Sequence, residues 1–289
     1  TGTGGGMKLF CAGVGVNHPD FTNASRQIKK SEFEDCVKNG VTDIVEIKIG
    51  FDGLSLAQSK SAKDLVLTKQ QVFLALAKDI PSPDGKLIAN PNKVWSDIDP
   101  SLPAIKIEVL GPPPTSGTRD SFAELVMEVG AASLDPLKQM KKDDAKAFEK
   151  VWKSMREDGA FVEAGENDNL IVQKLQANPD AVGIFGFSFL EENESTLKGV
   201  PVDGVAPSYE AIAGGEYKVA RPLFVYAKKQ HVGTVPGIAE FVAEYVSDKA
   251  IGEDGYLAAK GLVTLPGDEA EKTRAMALAM EPMKGDTLK

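Results

Sequence analysis

The spacing of hydrophobic residues along the chain alternates between helical and strand-like periods. Apolar side chains three and four positions apart predict helices that begin near Met7, Ser31 and Pro236 and that cover 65–78, 122–129, 143–155 and 168–178. Runs of β-branched and other apolar residues predict strands at 41–49, 105–110, 181–190 and 223–226. Strands that alternate with helices favour an α/β fold with mainly parallel sheets.

Local signals refine several of these helices. The residues from Ser31 to Glu34 have the pattern of a capping box, and Asp168 is placed to cap the helix that follows it. The side chains predicted to form inward helical faces are Phe122, Leu125, Val126 and Val129 in one helix and Ile238, Phe241, Val242 and Tyr245 in another.

The length of 289 residues favours two domains over one. The chain has no flexible linker between two halves, so it must cross between the lobes within strands, for which 51–57 and 221–226 are the candidates. We therefore predict a discontinuous lobe 1 at 1–55 plus 225–289 and a lobe 2 at 56–224.

The composition is typical of a globular protein, with 42% hydrophobic and 26% charged residues. No apolar run reaches the ~18 residues that would cross a bilayer. The formal net charge of −9 argues against a nucleic-acid partner and requires that any anionic ligand be bound by local donors. Because the chain starts at Thr1 rather than Met, we expect that a signal peptide or longer segment has been removed, or that the chain was cut.

Reactive side chains give little support for catalysis. His18 and His231 lie in polar turns, are predicted at the surface, and belong to no nucleophile elbow or metal-ligand spacing. Cys11 and Cys36 fit no CxxC pattern; they either form a disulfide that closes a loop of about 25 residues or remain buried thiols. We therefore predict no enzymatic activity and no bound metal.

The strongest local signal is the stretch 112–119, with the sequence Pro-Pro-Pro-Thr-Ser-Gly-Thr-Arg. The prolines have no N–H groups, so backbone donors begin only after them, at the start of a predicted helix. Ser116 and Thr118 add hydroxyls, and Gly117 lets the backbone approach a ligand closely. Arg119 offers a planar fork for two oxygens of an oxyanion. The alternative is an ordinary helix cap with a surface arginine.

Two other turns repeat this donor-rich composition. The stretch 1–6, Thr-Gly-Thr-Gly-Gly-Gly, is predicted as a loop whose N–H groups could surround an anion, although glycine runs are also common at flexible termini. No lysine and hydroxyl pair follows it, which excludes a P-loop. Ser25 and Arg26 add a hydroxyl and a charge in a segment that is otherwise an ordinary surface turn.

These segments resemble the phosphate-binding protein of bacterial phosphate ABC transporters, through residues 1–8, 23–26 and 114–122, and later through 181–190 and 221–226. The resemblance covers nearly the whole chain. It implies a periplasmic binding protein fold (type II), with two α/β lobes, a hinge and an interdomain ligand cleft. It also implies that phosphate is bound by Thr3, Ser25, Arg26, Ser116, Gly117 and Thr118, to which we add Gly4 and Arg119 as candidate ligands.

The chain departs from the family pattern in three places. Some members have an arginine four residues before the serine of the Ser-Gly-Thr turn, where this chain has Pro112, so Arg119 is the expected charge partner. Some use an aspartate to accept the ligand's proton where this chain has Arg26, which leaves Asp120 and Asp168 as candidate acceptors. The family's first strand, helix and strand, with a further phosphate-binding turn, are expected to be missing.

The resemblance implies high-affinity binding of inorganic phosphate in the periplasm. A monomer without a cofactor would then deliver the ion to the membrane permease of an ABC transporter. The alternatives are a binder of another tetrahedral oxyanion, such as sulfate, arsenate or molybdate, a phosphatase, and a secreted structural or adhesive protein that has inherited the fold.

Overall fold

A computed structural model of the protein describes residues 2–165 and 167–288. Its β-strands are β1 Phe21–Ala24, β2 Ile44–Ser59, β3 Asp79–Pro81, β4 Leu87–Ala89, β5 Val109–Gly111, β6 Phe161–Glu163, β7 Val182–Gly186, β8 Leu197–Gly199 and β9 Ala220–Lys228. Its α-helices are α1 Thr3–Phe10, α2 Lys30–Lys38, α3 Lys69–Leu76, α4 Trp95–Ile98, α5 Gly117–Phe122, α6 Val129–Ala132, α7 Asp135–Asp143, α8 Ala145–Lys153, α9 Asp168–Ala177, α10 Phe187–Glu192, α11 Tyr209–Ala213, α12 Ile238–Tyr245, α13 Asp248–Ile251 and α14 Gly267–Leu278. A π-helical segment covers Ala123–Glu128, and 3-10 turns lie at Lys229–His231, Ala258–Lys260 and Gly285–Thr287.

The chain divides into two compact units. Unit 1 is discontinuous and comprises Thr1–Asp52 and Arg221–Lys289, while unit 2 is the continuous stretch Gly53–Ala220. Strands β2 and β9 carry the chain from one unit to the other. Both changes of unit fall within or next to the segments that were predicted to cross, whereas the predicted lobe boundaries, after residues 55 and 224, lie slightly later in the chain.

Unit 1 is built on a sheet in which β9 lies between β1 and β2, with β1 and β9 antiparallel. Alternate residues of a strand point to opposite faces, so neighbouring side chains of β9 enter different cores. Val225 packs with Val45 and Val242, from β2 and α12, in one cluster. Tyr226 packs in the other cluster, whose members from α1 and α2 include Phe10 and Cys36.

Unit 2 has a mixed sheet. Strand β5 pairs in parallel with both β6 and β7, whereas β2 pairs antiparallel with β7 and β8. Strands β3 and β4 form a separate antiparallel pair. The prediction of mainly parallel sheets is therefore wrong, because hydrophobic periodicity identifies a strand but contains no information about its direction relative to its neighbour.

The predicted strand at 181–190 is also wrong in its second half. Strand β7 ends at Gly186, and α10 follows directly. Phe187 and Leu190, three positions apart, are both buried on one face of this short helix. A continuous apolar run of this length fits a buried strand and a buried helix equally well.

The predicted helix after Ser116 exists but contains a π turn. Phe122 and Val126 are buried as predicted, whereas Val129 is 47% exposed. Hydrogen bonds in a π turn span one residue more than in an α-helix, which rotates the following residues about the helix axis. Gly130 is the buried residue of the next turn, and a Cβ atom there would lie 2.2 Å from the carbonyl oxygen of Lys69 in α3.

Helix starts and one helical face also differ from prediction. Helix α2 starts after Lys29, whose N–H donates to the Glu32 carboxylate at 2.9 Å, so Ser31 lies inside the helix. The cap of α9 is Asn167 rather than Asp168. In α12, Phe241 is half exposed rather than buried, and its ring packs against that of Phe21 with centroids 4.8 Å apart.

The helices within the described residues are all too short or too polar to serve as membrane spans.

Candidate functional site

The first predicted turn forms the start of α1 in unit 1. The helix begins at Thr3, so the glycine run is helical rather than a loop as predicted, and Thr1 lies outside the described residues. The Thr3 hydroxyl accepts a hydrogen bond from the Ser25 N–H at 3.0 Å and shares another with the Ser25 hydroxyl at 3.1 Å. A Cβ atom on exposed Gly4 would meet nothing within 4 Å, so the first turn of the helix is open to a ligand.

Arg26 follows Ser25 and forms an ion pair with Glu32 of α2. Its Nη1 donates to Oε2 at 2.8 Å, and its Nη2 donates to Oε1 at 2.7 Å. The hydrogen bond to Arg26 is the main cause that lowers the pKa of Glu32, and the same bond raises the pKa of Arg26. Thr3, Ser25 and Arg26 are therefore brought together, with the arginine held by a carboxylate that was not predicted.

A buried tyrosine, Tyr226, forms hydrogen bonds next to the same turn. The Tyr226 hydroxyl accepts a hydrogen bond from the Ile28 N–H and donates one to the Glu46 carboxylate, both at 2.8 Å. Burial, followed by the charge of Glu46, raises the pKa of Tyr226, so the hydroxyl stays protonated and remains a donor.

The second predicted turn lies at the start of α5 in unit 2. Ser116 is the N-cap, and its hydroxyl accepts from the Thr118 N–H at 3.2 Å. Gly117 is exposed, and a side chain there would meet nothing within 4 Å. The hydroxyl of Ser121 donates to the Gly117 carbonyl at 3.0 Å, which ties the turn to the helix. Both the capping alternative and an anion-binding role are compatible with this geometry, because the cap uses only one of the N–H groups at the helix start.

The guanidinium of Arg119 is held by contacts within the protein, which the sequence did not predict. Its Nη1 donates to the Pro112 carbonyl at 3.2 Å, and its guanidinium lies 4.3 Å from the centre of the Phe161 ring. Burial lowers the pKa of Arg119, an effect opposed by the negative charge of Glu163. Arg119 lines a cavity of about 520 Å³ whose lining, within the described residues, includes neither Ser116 nor Thr118.

The two candidate proton acceptors differ in environment. Asp120 is exposed on α5. Asp168 is half-buried at the start of α9, and burial raises its pKa, with a hydrogen bond from the Gly186 backbone opposing the rise. Burial favours the protonated form of a carboxyl group, so the two candidates differ in their exposure to solvent.

Cys11 and Cys36 form a disulfide, which decides between the two alternatives left open by the sequence. Cys11 caps the C-terminal end of α1, and Cys36 lies in α2. The bond therefore ties the helix that starts at Thr3 to the helix that carries Glu32.

The surface prediction for His231 is wrong, because its side chain is only 2% exposed. Its Nδ1 lies 2.6 Å from the Asp20 carboxylate, and its Nε2 accepts from the Gly15 N–H at 2.9 Å. The neighbouring Lys228 is also buried, and its ammonium donates to the Gly13 carbonyl at 2.6 Å. These partners lie more than 200 positions earlier in the chain, so no local pattern could have revealed the contacts.

Residues 1–249 match the family model of the PBP superfamily domain. Phosphate-binding protein PstS of Staphylococcus saprophyticus is 32% identical over 274 residues, which are 92% of this chain and 70% of that protein. The chain belongs to the PstS family of the PBP superfamily.

Two further similarities support this assignment to the PstS family. Protein SphX of Synechococcus elongatus is 31% identical over 80% of this chain, which spans 58% of the length of SphX. The crystal structure of a possible phosphate binding protein from Planctomyces limnophilus has 28% identity and a TM-score of 0.71, and it covers 96% of this chain and 85% of that one. The predicted periplasmic binding protein fold is thus confirmed, and the family is one of solute-binding proteins.

Proposed function

We propose that this PstS-family protein binds inorganic phosphate and delivers it to the permease of an ABC transporter. The observation that carries the proposal is the convergence of Thr3, Ser25 and Arg26 at the open first turn of α1. Hydroxyl, backbone N–H and guanidinium donors at a helix start are the groups that bind a tetrahedral oxyanion. The names of the phosphate-binding protein PstS of Staphylococcus saprophyticus and of the possible phosphate binding protein of Planctomyces limnophilus support phosphate as the anion.

The number of available donors is sufficient for tight binding. A hydrogen bond to a charged group contributes about 1.5–3 kcal/mol, and micromolar affinity requires about 8 kcal/mol. Four to six such bonds therefore suffice after ordering costs, and the turn at Thr3 and the turn at Ser116 each contain hydroxyl and backbone N–H donors of this kind. Such local donors also act against the overall charge of −9.

Binding and release of phosphate require no cofactor and no covalent step, so we propose a carrier rather than a phosphatase. We also propose that it acts as a monomer. The periplasm is the compartment in which such a carrier meets its permease, and it is an oxidising compartment in which the Cys11–Cys36 disulfide persists.

Isothermal titration calorimetry with phosphate tests the proposal. We expect one site per chain in the wild type and at least tenfold weaker binding in Thr3→Ala, Ser25→Ala and Thr118→Ala. Ser101→Ala is a matched control, because the exposed Ser101 hydroxyl donates to Asp99 and is not part of the predicted site. Wild type that binds no phosphate, or variants that match the control, would refute the proposal. Competition by sulfate, arsenate and molybdate at equal concentration separates phosphate from the other oxyanions.

A further inference from the structure

Only some of the N–H groups of Arg26 have acceptors among the described residues. A guanidinium has five N–H groups in one plane, and its Nη1–Nη2 edge and its Nε–Nη2 edge each present two parallel N–H groups. In this structure Nη1 donates to the Glu32 carboxylate and, at 3.1 Å, to the Gln27 carbonyl. Nη2 gives one of its two N–H groups to Glu32. Within the described residues, this leaves one N–H of Nη2 and the N–H of Nε without an acceptor.

These two remaining groups form the Nε–Nη2 edge. The Nε–H and the adjacent Nη2–H point in the same direction, with the spacing that matches two oxygens of a carboxylate or phosphate. The side chain of Arg26 is 34% exposed, so the arginine is only partly buried. Arg26 can consequently hold Glu32 on one edge and an oxyanion on the other at the same time.

Glu32 is itself held in place. Its carboxylate also accepts the Lys29 N–H at 2.9 Å, at the start of α2. Helix α2 is joined to α1 by the Cys11–Cys36 disulfide, and α1 begins at Thr3, which contacts Ser25. Ser25 is bonded directly to Arg26, the partner of Glu32. These contacts therefore fix the Glu32 carboxylate relative to the proposed anion site.

We infer that Glu32 is a positioning residue for phosphate, which engages one edge of Arg26 so that the Nε–Nη2 edge is presented to two ligand oxygens. The inference rests on the proposed function and extends it to a residue outside the predicted site. Without Glu32, the long arginine side chain would sample several rotamers, and part of the binding free energy would be lost in ordering it.

A double-mutant cycle tests this role. Glu32→Gln keeps the shape of the side chain but places an amide donor against an arginine donor. We expect it to weaken phosphate binding about tenfold, measured by calorimetry. In an Arg26→Ala background the same change should alter affinity less than about twofold, because the residue through which Glu32 acts is absent. Glu34→Gln, an exposed substitution on the same helix with the same change of charge, is the matched control.

A second readout follows the arginine itself. In 15N NMR spectra of Arg26, rotation about the Nε–Cζ bond should be slow in the wild type and fast in Glu32→Gln, whereas Glu34→Gln should leave it slow. If Glu32→Gln unfolds, Glu32→Asp replaces it, because it keeps the charge with a shorter reach; we expect partial retention of affinity and of the slow rotation.

The outcomes separate this inference from the proposed function. Wild type that binds no phosphate overturns both. Wild type that binds phosphate while Glu32→Gln matches Glu34→Gln overturns the positioning role alone. An equal loss from Glu32→Gln with and without Arg26 would show that Glu32 acts through stability rather than through the arginine, and it also overturns the inference.

Discussion

Removal of the disulfide should weaken unit 1 by a calculable amount. The bond joins Cys11 to Cys36, which are 25 positions apart, and both sulfur-bearing side chains are buried. In the chain-entropy model, opening a loop of this length returns about 12 cal/mol/K to the unfolded chain, which corresponds to about 3.5 kcal/mol at 25 °C. The variant Cys11→Ala with Cys36→Ala should therefore be less stable than the oxidised wild type by about that amount.

Urea unfolding measures this difference when tryptophan fluorescence and far-UV circular dichroism are followed with and without a reducing agent. The two tryptophans, Trp95 and Trp152, both lie in unit 2, so circular dichroism must report on unit 1. Reductant should lower the stability of the wild type and leave the double-alanine variant unchanged. A wild type whose unfolding midpoint is the same before and after complete reduction would refute the reasoning, because the loop-closure term would then be absent.

Three other perturbations have definite expected outcomes. Gly130→Ala should destabilise the protein by about 1–3 kcal/mol in thermal unfolding, because the new methyl group would overlap the Lys69 carbonyl; an unchanged midpoint would contradict the packing. Asp20→Asn should cost about 1–3 kcal/mol in urea unfolding, because it weakens the hydrogen bond between the Asp20 carboxylate and buried His231, and the reasoning fails if stability is unaffected. Folding lowers the pKa of Glu32, so its contribution to folding stability is complete above the unfolded pKa of about 4.3 and is lost as pH falls through the lower folded pKa. Between about pH 5 and 3, wild type should therefore lose more stability in urea unfolding than Glu32→Gln does. Equal losses would contradict the ion pair.

The candidate site was predictable where its chemistry is local in sequence. Ser116 caps a helix within two residues of Thr118, and a hydroxyl before a helical pattern is a direct signal of such a cap. The stretch 1–6 and Ser25 were noticed for their donor-rich composition, but that Thr3 and Ser25 belong to one site could be proposed only through the resemblance, since their contact joins positions 22 residues apart. Glu32 was missed because a glutamate near a helix start has the same pattern whether it serves as a cap or as the partner of an arginine.

The alternation of helices and strands was predictable from the sequence, but the relative directions of the strands were not. The crossing segments at 51–57 and 221–226 were found because no linker exists, which forces the chain to pass between units within strands. The π turn and the exposure of Val129 had no signal, because a single extra residue in a helical turn does not disturb the apolar pattern before it. His231 was missed because its partners are distant in the chain.

The two units differ in how much of the chain each needs before it can fold. Unit 2 is one continuous stretch that ends at Ala220, whereas unit 1 also needs residues after 220, because β1 and the first part of β2 have β9 as their neighbour. Until β9 is in place, the amino-terminal strands have open edges that invite pairing with other chains. Substitutions that delay the pairing of β9 should therefore raise aggregation through unit 1 selectively.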